Sequence, residues 1–141
     1  MIKIKDDIEV KIVEMEWLSE EANEAIVTFE INNKEYRAFG FPVGFEVGNS
    51  YKVEFDFLEG IDIQWEVMFS ENKDKVKDLI IKSNSIWSYS AYGQIVSVNP
   101  VIVDCGIAEF DLGYFSRDER LIGEYMFFDI ARLDIYDKKL Y

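Results

Sequence analysis

The chain has no histidine and a single cysteine, Cys105. Without an imidazole there can be no Ser-His-Asp or Cys-His nucleophilic site. Zincin sites and His-ligated metal centres are excluded for the same reason. One thiol cannot form an internal disulfide or build a thiolate zinc site. Beside Asp104, Cys105 also lacks the positive neighbours that make a thiolate reactive. It reads as a small buried hydrophobe, with Gly106 serving a turn. Proline occurs twice, and no run approaches the ~20 apolar residues of a membrane span. The opening Met-Ile-Lys-Ile-Lys-Asp-Asp lacks the apolar stretch of a signal peptide. The expectation is a soluble, cytoplasmic protein.

Basic residues are also scarce. Against 28 Asp and Glu stand 15 Lys and Arg, which leaves a formal charge of −13. Residues 1–70 hold 6 basic and 16 acidic groups, net −10; residues 71–141 hold 9 and 12, net −3. Such a chain repels phosphate backbones and anionic lipid surfaces, so neither nucleic acid nor membrane is an expected partner. A basic protein would be attracted and steered.

Hydrophobic residues make up 49% of the 141 positions, enough for a sizeable core. Their dominant pattern is period-2 alternation, the mark of half-buried strands. Residues 24–31 set Ala25, Val27, Phe29 and Ile31 on one face. Asn32, Asn33 and Lys34 then form a hairpin turn, because asparagine tolerates positive φ. The returning strand covers 35–41, and Pro42, Gly44, Gly48 and Asn49 punctuate the next connection. In residues 8–17 the apolar phase switches between Ile12 and Val13, which predicts a β-bulge. In residues 123–136 it switches again, and a bulge at Ala131-Arg132 restores one face. Residues 51–58 and 61–69 alternate on either side of Glu59-Gly60 and read as a hairpin. Residues 86–92 and 93–105 give further strands, broken at Asn99-Pro100. The last five residues, from Asp137, read as a frayed end.

One helix is expected, near 71–82. Ser70 or Asn72 would cap it, and Val76, Leu79 and Ile80 fall at i, i+3 and i+4. The whole predicts one all-β, mainly antiparallel domain over residues 1–141, a barrel or barrel-like sandwich. Bends plus a helix inserted between strands are what a Greek-key barrel with an OB-like layout would show. That layout would not decide function.

Two clusters invite a functional reading. Glu54, Asp56, Asp62 and Glu66 would share the outer face of a 51–69 hairpin and offer an acidic contact surface. Like charges across a strand pair cost stability, so the cluster is mildly unusual, although a solvated strand face accounts for it equally simply. Paired carboxylates could also run glycoside hydrolysis, but no EF-hand or other metal-ligand loop is present and no cofactor is implied. Trp87, Tyr89 and Tyr92 could stack a ligand, or could simply be a buried strand with polar handles on its tyrosines. Arg117, Asp118, Glu119, Arg120, Arg132 and Asp134 read as structural charges.

The leading expectation is a non-catalytic acidic module that binds a basic protein. One form is an immunity or inhibitor protein that neutralises a cationic toxin such as a nuclease. The alternative is a small-ligand or carbohydrate-binding barrel using Trp87, Tyr89 and Tyr92.

Overall fold

The structure is a computed structural model that describes residues 8–41 and 43–140. The N-terminal heptapeptide, Pro42 and Tyr141 lie outside the described residues, and with them the expectations placed on those positions.

The elements run β1 (Ile8–Ser19), β2 (Glu24–Ile31), β3 (Lys34–Gly40), β4 (Ser50–Glu59), α1 (Trp65–Ser70), β5 (Asp78–Ile81), β6 (Tyr89–Ser97), β7 (Ile102–Asp104), β8 (Glu109–Asp111) and β9 (Tyr125–Asp137). The protein is an all-β, mainly antiparallel structure, with all nine strands in one sheet. Five strands close a ring: β1 pairs β2 and β4, β2 pairs β3, and β9 pairs both β3 and β4. Among the described residues only the β3–β9 contact is parallel, and it spans Phe39–Asp134 and Gly40–Ile135. Five strands is also the number in an OB-like barrel. The remaining strands extend the sheet sideways, because the first half of β9 leaves the ring to pair β6.

Both expected bulges are present. Ile12 pairs Phe29 and Glu14 pairs Thr28, so Val13 is the extra residue of β1. Leu58 pairs Arg132 and Glu59 pairs Ile130, so Ala131 is the extra residue of β9. In β9 the insertion returns Leu133 and Ile135 to the core face, whereas in β1 Met15 packs partly against the core and Trp17 stays exposed. Ile12, Val27, Phe29, Leu133 and Ile135 are all completely buried. Asn32 and Asn33 take φ of 52° and 65°, the left-handed pair of a tight hairpin. The C-terminal end forms a 3-10 turn, Lys138–Leu140, in place of the expected frayed tail. Asp137 is buried and accepts from the Lys139 backbone N–H.

Two expected elements are corrected. Residues 61–69 are not a strand returning along β4. They form a short loop and then α1. The chain is turned at its start, where Gly60 N–H donates to the Asp129 carbonyl and Ile61 N–H to the Asp129 carboxylate. Trp65 and Phe69, four apart, pack at 4.9 Å, so the segment satisfies a helical spacing as well as a period of two. Nor is 71–82 a helix. The Asn72 amide takes both backbone groups of Val76, accepting from its N–H at 2.8 Å and donating to its carbonyl at 2.9 Å. It also donates to the Met126 carbonyl, fastening the loop to β9. Lys75 sits at φ 55°, outside helical space. Residues 78–81 instead pair β6 as β5.

At Gly93 in β6, the sheet leaves no room for a side chain. A Cβ there would lie 2.6 Å from the Asp104 carbonyl oxygen and 2.9 Å from the Cys105 sulfur. The backbone oxygen cannot rotate away. Gly93→Ala should lower stability by about 1–3 kcal/mol, the usual cost of overpacking. Urea denaturation checks this, and an unchanged midpoint would contradict the close approach.

Candidate functional site

The structure separates the aromatic trio. Tyr89 and Tyr92, three apart on one strand, point to opposite faces of the sheet. Tyr89 is buried, and its hydroxyl donates to the Arg37 carbonyl at 2.6 Å and accepts from the Arg37 N–H at 2.8 Å. A phenol thus occupies the open edge of β3 where a neighbouring strand would sit. Tyr92 lies on the outer face, stacked on Phe127 at 5.7 Å. Trp87 precedes β6 and meets Phe39 edge-on at 5.7 Å. These three side chains serve three separate neighbourhoods.

The acidic set is also divided. Glu54 and Asp56 are exposed on β4, opposite Tyr136 and Asp134 of β9. Next along that face, Leu58 pairs Arg132, whose guanidinium binds the Asp134 carboxylate at 2.6 and 3.1 Å. A cation therefore sits beside the Glu54–Asp56 pair. Asp62 lies in the loop after β4, and Glu66 in the first turn of α1. Among the described residues no group of three or more Asp, Glu or Cys could hold a metal ion.

Two clefts among the described residues are large enough to consider. The larger, about 490 Å³, lies between the open edge of β3 and β5. Its phenols and Lys34 already have partners. Tyr36 donates to Asp78 at 2.8 Å, Lys34 pairs Asp78, and Tyr89 is spent on Arg37. Lys34 and Arg37 balance Glu14 and Glu35 along its walls.

The smaller cleft, about 340 Å³, opens between the loop after β4, α1 and the loop after β8. Phe57, Phe128, Trp65, Met68 and Phe115 form apolar walls, and Ile61 and Ile63 close one side. Trp65 meets Phe115 edge-on at 5.8 Å. Although it is apolar, much of it faces water: Ile61 is 71% exposed, Trp65 47% and Phe115 41%. Single exposed apolar residues are ordinary, but these three lie together around one cleft. Three carboxylates line it, from Glu59, Asp62 and Asp129, and no lysine or arginine among the described residues does. Asp129 is the buried one and is already engaged, by Lys82 and by the Ile61 N–H at 2.8 Å. Glu59 and Asp62 are exposed.

Of the acidic candidates, only Asp62 lines this cleft, while Glu66 adjoins Trp65 in the chain. Sequence periodicity does not single out Trp65, Phe115 or Glu59. It places Trp65 in a strand interior, and Phe115 lies some 50 positions away in a loop. The only local signal is the adjacent pair Tyr114-Phe115 behind Gly113.

The buried phenols make stability depend on alkaline pH. Burial pushes Tyr89 up to about 12. Burial, then the hydrogen bond to Asp78, raises Tyr36 as well. Both are raised in the folded state, so their stabilisation is complete below the unfolded tyrosine value of about 10. It is lost as pH climbs from there through the folded values. The denaturation midpoint should therefore fall above about pH 10, and Tyr89→Phe should flatten the fall. A decline of equal steepness in Tyr89→Phe would contradict this assignment.

Among the described residues no helix is long and apolar enough to cross a membrane. Comparison of the chain with family models, with curated proteins and with solved structures gave no significant match, so the functional reading rests on this geometry.

Proposed function

We propose that this chain is a non-catalytic interaction module that binds a basic protein, with the cleft beside α1 as its contact surface. The observation that carries the reading is a partly exposed aromatic cleft whose charged lining groups, among the described residues, are all carboxylates. An apolar centre with a charged rim is the anatomy of a protein interface, and aromatic anchors supply most of the binding energy in such surfaces. The chain's −13 charge adds long-range steering toward a cationic partner. An immunity or inhibitor protein that covers the substrate groove of a cationic toxin, such as a nuclease, is one form this takes. Of the four acidic candidates, Asp62 lines this contact and Glu66 follows Trp65 in α1 beside it. Glu54 and Asp56, next to Arg132, lie outside it.

A small-ligand role competes for the same cleft, whose volume sits at the low end of the range of about 300–1,000 Å³ for ligand sites. A pull-down from native lysate separates the two. The wild-type chain should retain a stoichiometric basic protein at low salt and release it as salt rises, as screening predicts. The Glu59→Lys/Asp62→Lys double variant should lose that partner, and Glu54→Lys/Asp56→Lys should keep it. No enriched basic protein, or equal retention by both variants, would overturn the reading.

A further inference from the structure

We infer that the cleft beside α1 is built to receive one arginine side chain of a protein partner. This rests on the interaction reading and names the group that the partner contributes. Two features of the cleft make opposite demands on a ligand. Its walls, from Phe57, Phe128, Trp65 and Phe115, call for apolar contact. Its exposed carboxylates, from Glu59 and Asp62, with no lining cation among the described residues, call for positive charge. A purely apolar anchor leaves the two carboxylates unanswered, and a small inorganic cation leaves the aromatic walls wet.

Arginine meets both demands along its length. Its three-carbon stem packs on apolar surface while the charged head stays at the rim. The guanidinium plane stacks on an aromatic face, and Trp is the strongest such partner. Its donors form a fork that matches a carboxylate. Lysine matches less well, because its ammonium is more strongly hydrated and lacks the planar fork. Asp129 does not compete for the incoming charge. Its carboxylate is held by Lys82 and by the Ile61 N–H, and it serves to fix the loop that carries Asp62. Gly60 permits this anchoring, since a side chain there would collide with the Asp129 carboxylate.

The test uses the full chain and a free probe, N-acetyl-arginine methylamide, followed by the Trp65 indole N–H resonance. That resonance is assigned by its loss in Trp65→Phe. The probe should give a saturable shift at Trp65 and none at Trp17 or Trp87. The lysine analogue should bind more weakly, and the neutral norleucine analogue more weakly still. Glu59→Gln/Asp62→Asn alters two exposed side chains and should weaken the arginine probe by about tenfold, as loss of a charge-assisted hydrogen bond predicts. No saturable shift, or equal binding of the norleucine analogue, would overturn the inference. The two proposals fail separately. A basic protein captured by a chain that ignores the probe would leave the interaction reading standing and remove the arginine site. Probe binding without any captured basic protein would do the reverse.

Discussion

The extra residue at Ala131 is the constraint on which the rest of the structure depends. β9 has two duties that a regular strand could not combine. Its second half, from Leu133 onward, closes the five-stranded ring against β3 and β4. Its first half, Tyr125–Ile130, leaves the ring and carries β6. The bulge bends the strand between these duties and resets the inward face, so that Ile130, Leu133 and Ile135 are all completely buried. The unpaired backbone is satisfied locally. Ser88 Oγ donates to the Ala131 carbonyl at 2.6 Å, and Leu133 N–H donates to the Trp87 carbonyl at 3.0 Å. Just beyond the bulge, Arg132 forks onto the buried Asp134, so neither of these two charges is left unpaired.

The cleft arises from the same departure. β4 runs along β9 as far as the Glu59–Ile130 pair and ends there. One residue before Ile130, Asp129 takes the Gly60 N–H on its carbonyl and the Ile61 N–H on its carboxylate, while Lys82 from the end of β5 holds that carboxylate from the other side. The chain is thereby turned out of the sheet and into α1. Trp65 then stands opposite Phe115, with Phe57 and Phe128 of the core as the floor. The aromatic surface is thus a by-product of how the barrel is closed, and its carboxylates arrive with the loop that the closure creates.

The strands β1–β4, β6 and β9 and both bulges are legible in the sequence because side-chain parity records them directly. The switch between Ile12 and Val13 and the one at Ala131-Arg132 are each one-residue phase changes, and each is a bulge in the fold. The Asn32-Asn33 turn is legible for a similarly local reason. Residues 61–69 mislead because two periods coexist there. Ile61, Ile63, Trp65, Val67 and Phe69 alternate, yet Trp65, Met68 and Phe69 also share a helical face. Hydrogen bonds to Asp129, nearly 70 positions later, decide between them, and no local pattern reports those. Residues 71–82 mislead for a different reason. Asn72 has the character of a helix cap, but its amide pairs the backbone of Val76 and ties the loop to β9. The cleft is only partly legible. Acid-rich composition points to the first half of the chain and to Asp62, but the aromatic walls come together only through long-range pairing.

The most direct test of the account is a hydrogen-exchange footprint of the chain bound to the basic protein it retains from lysate. Slowed exchange should concentrate in the loop after β4, in α1 and in the segment around Phe115, with the Glu54–Asp56 stretch of β4 unchanged. Slowed exchange at Glu54–Asp56 with none around Trp65 and Phe115 would contradict it, and would return the contact to the outer face of the barrel.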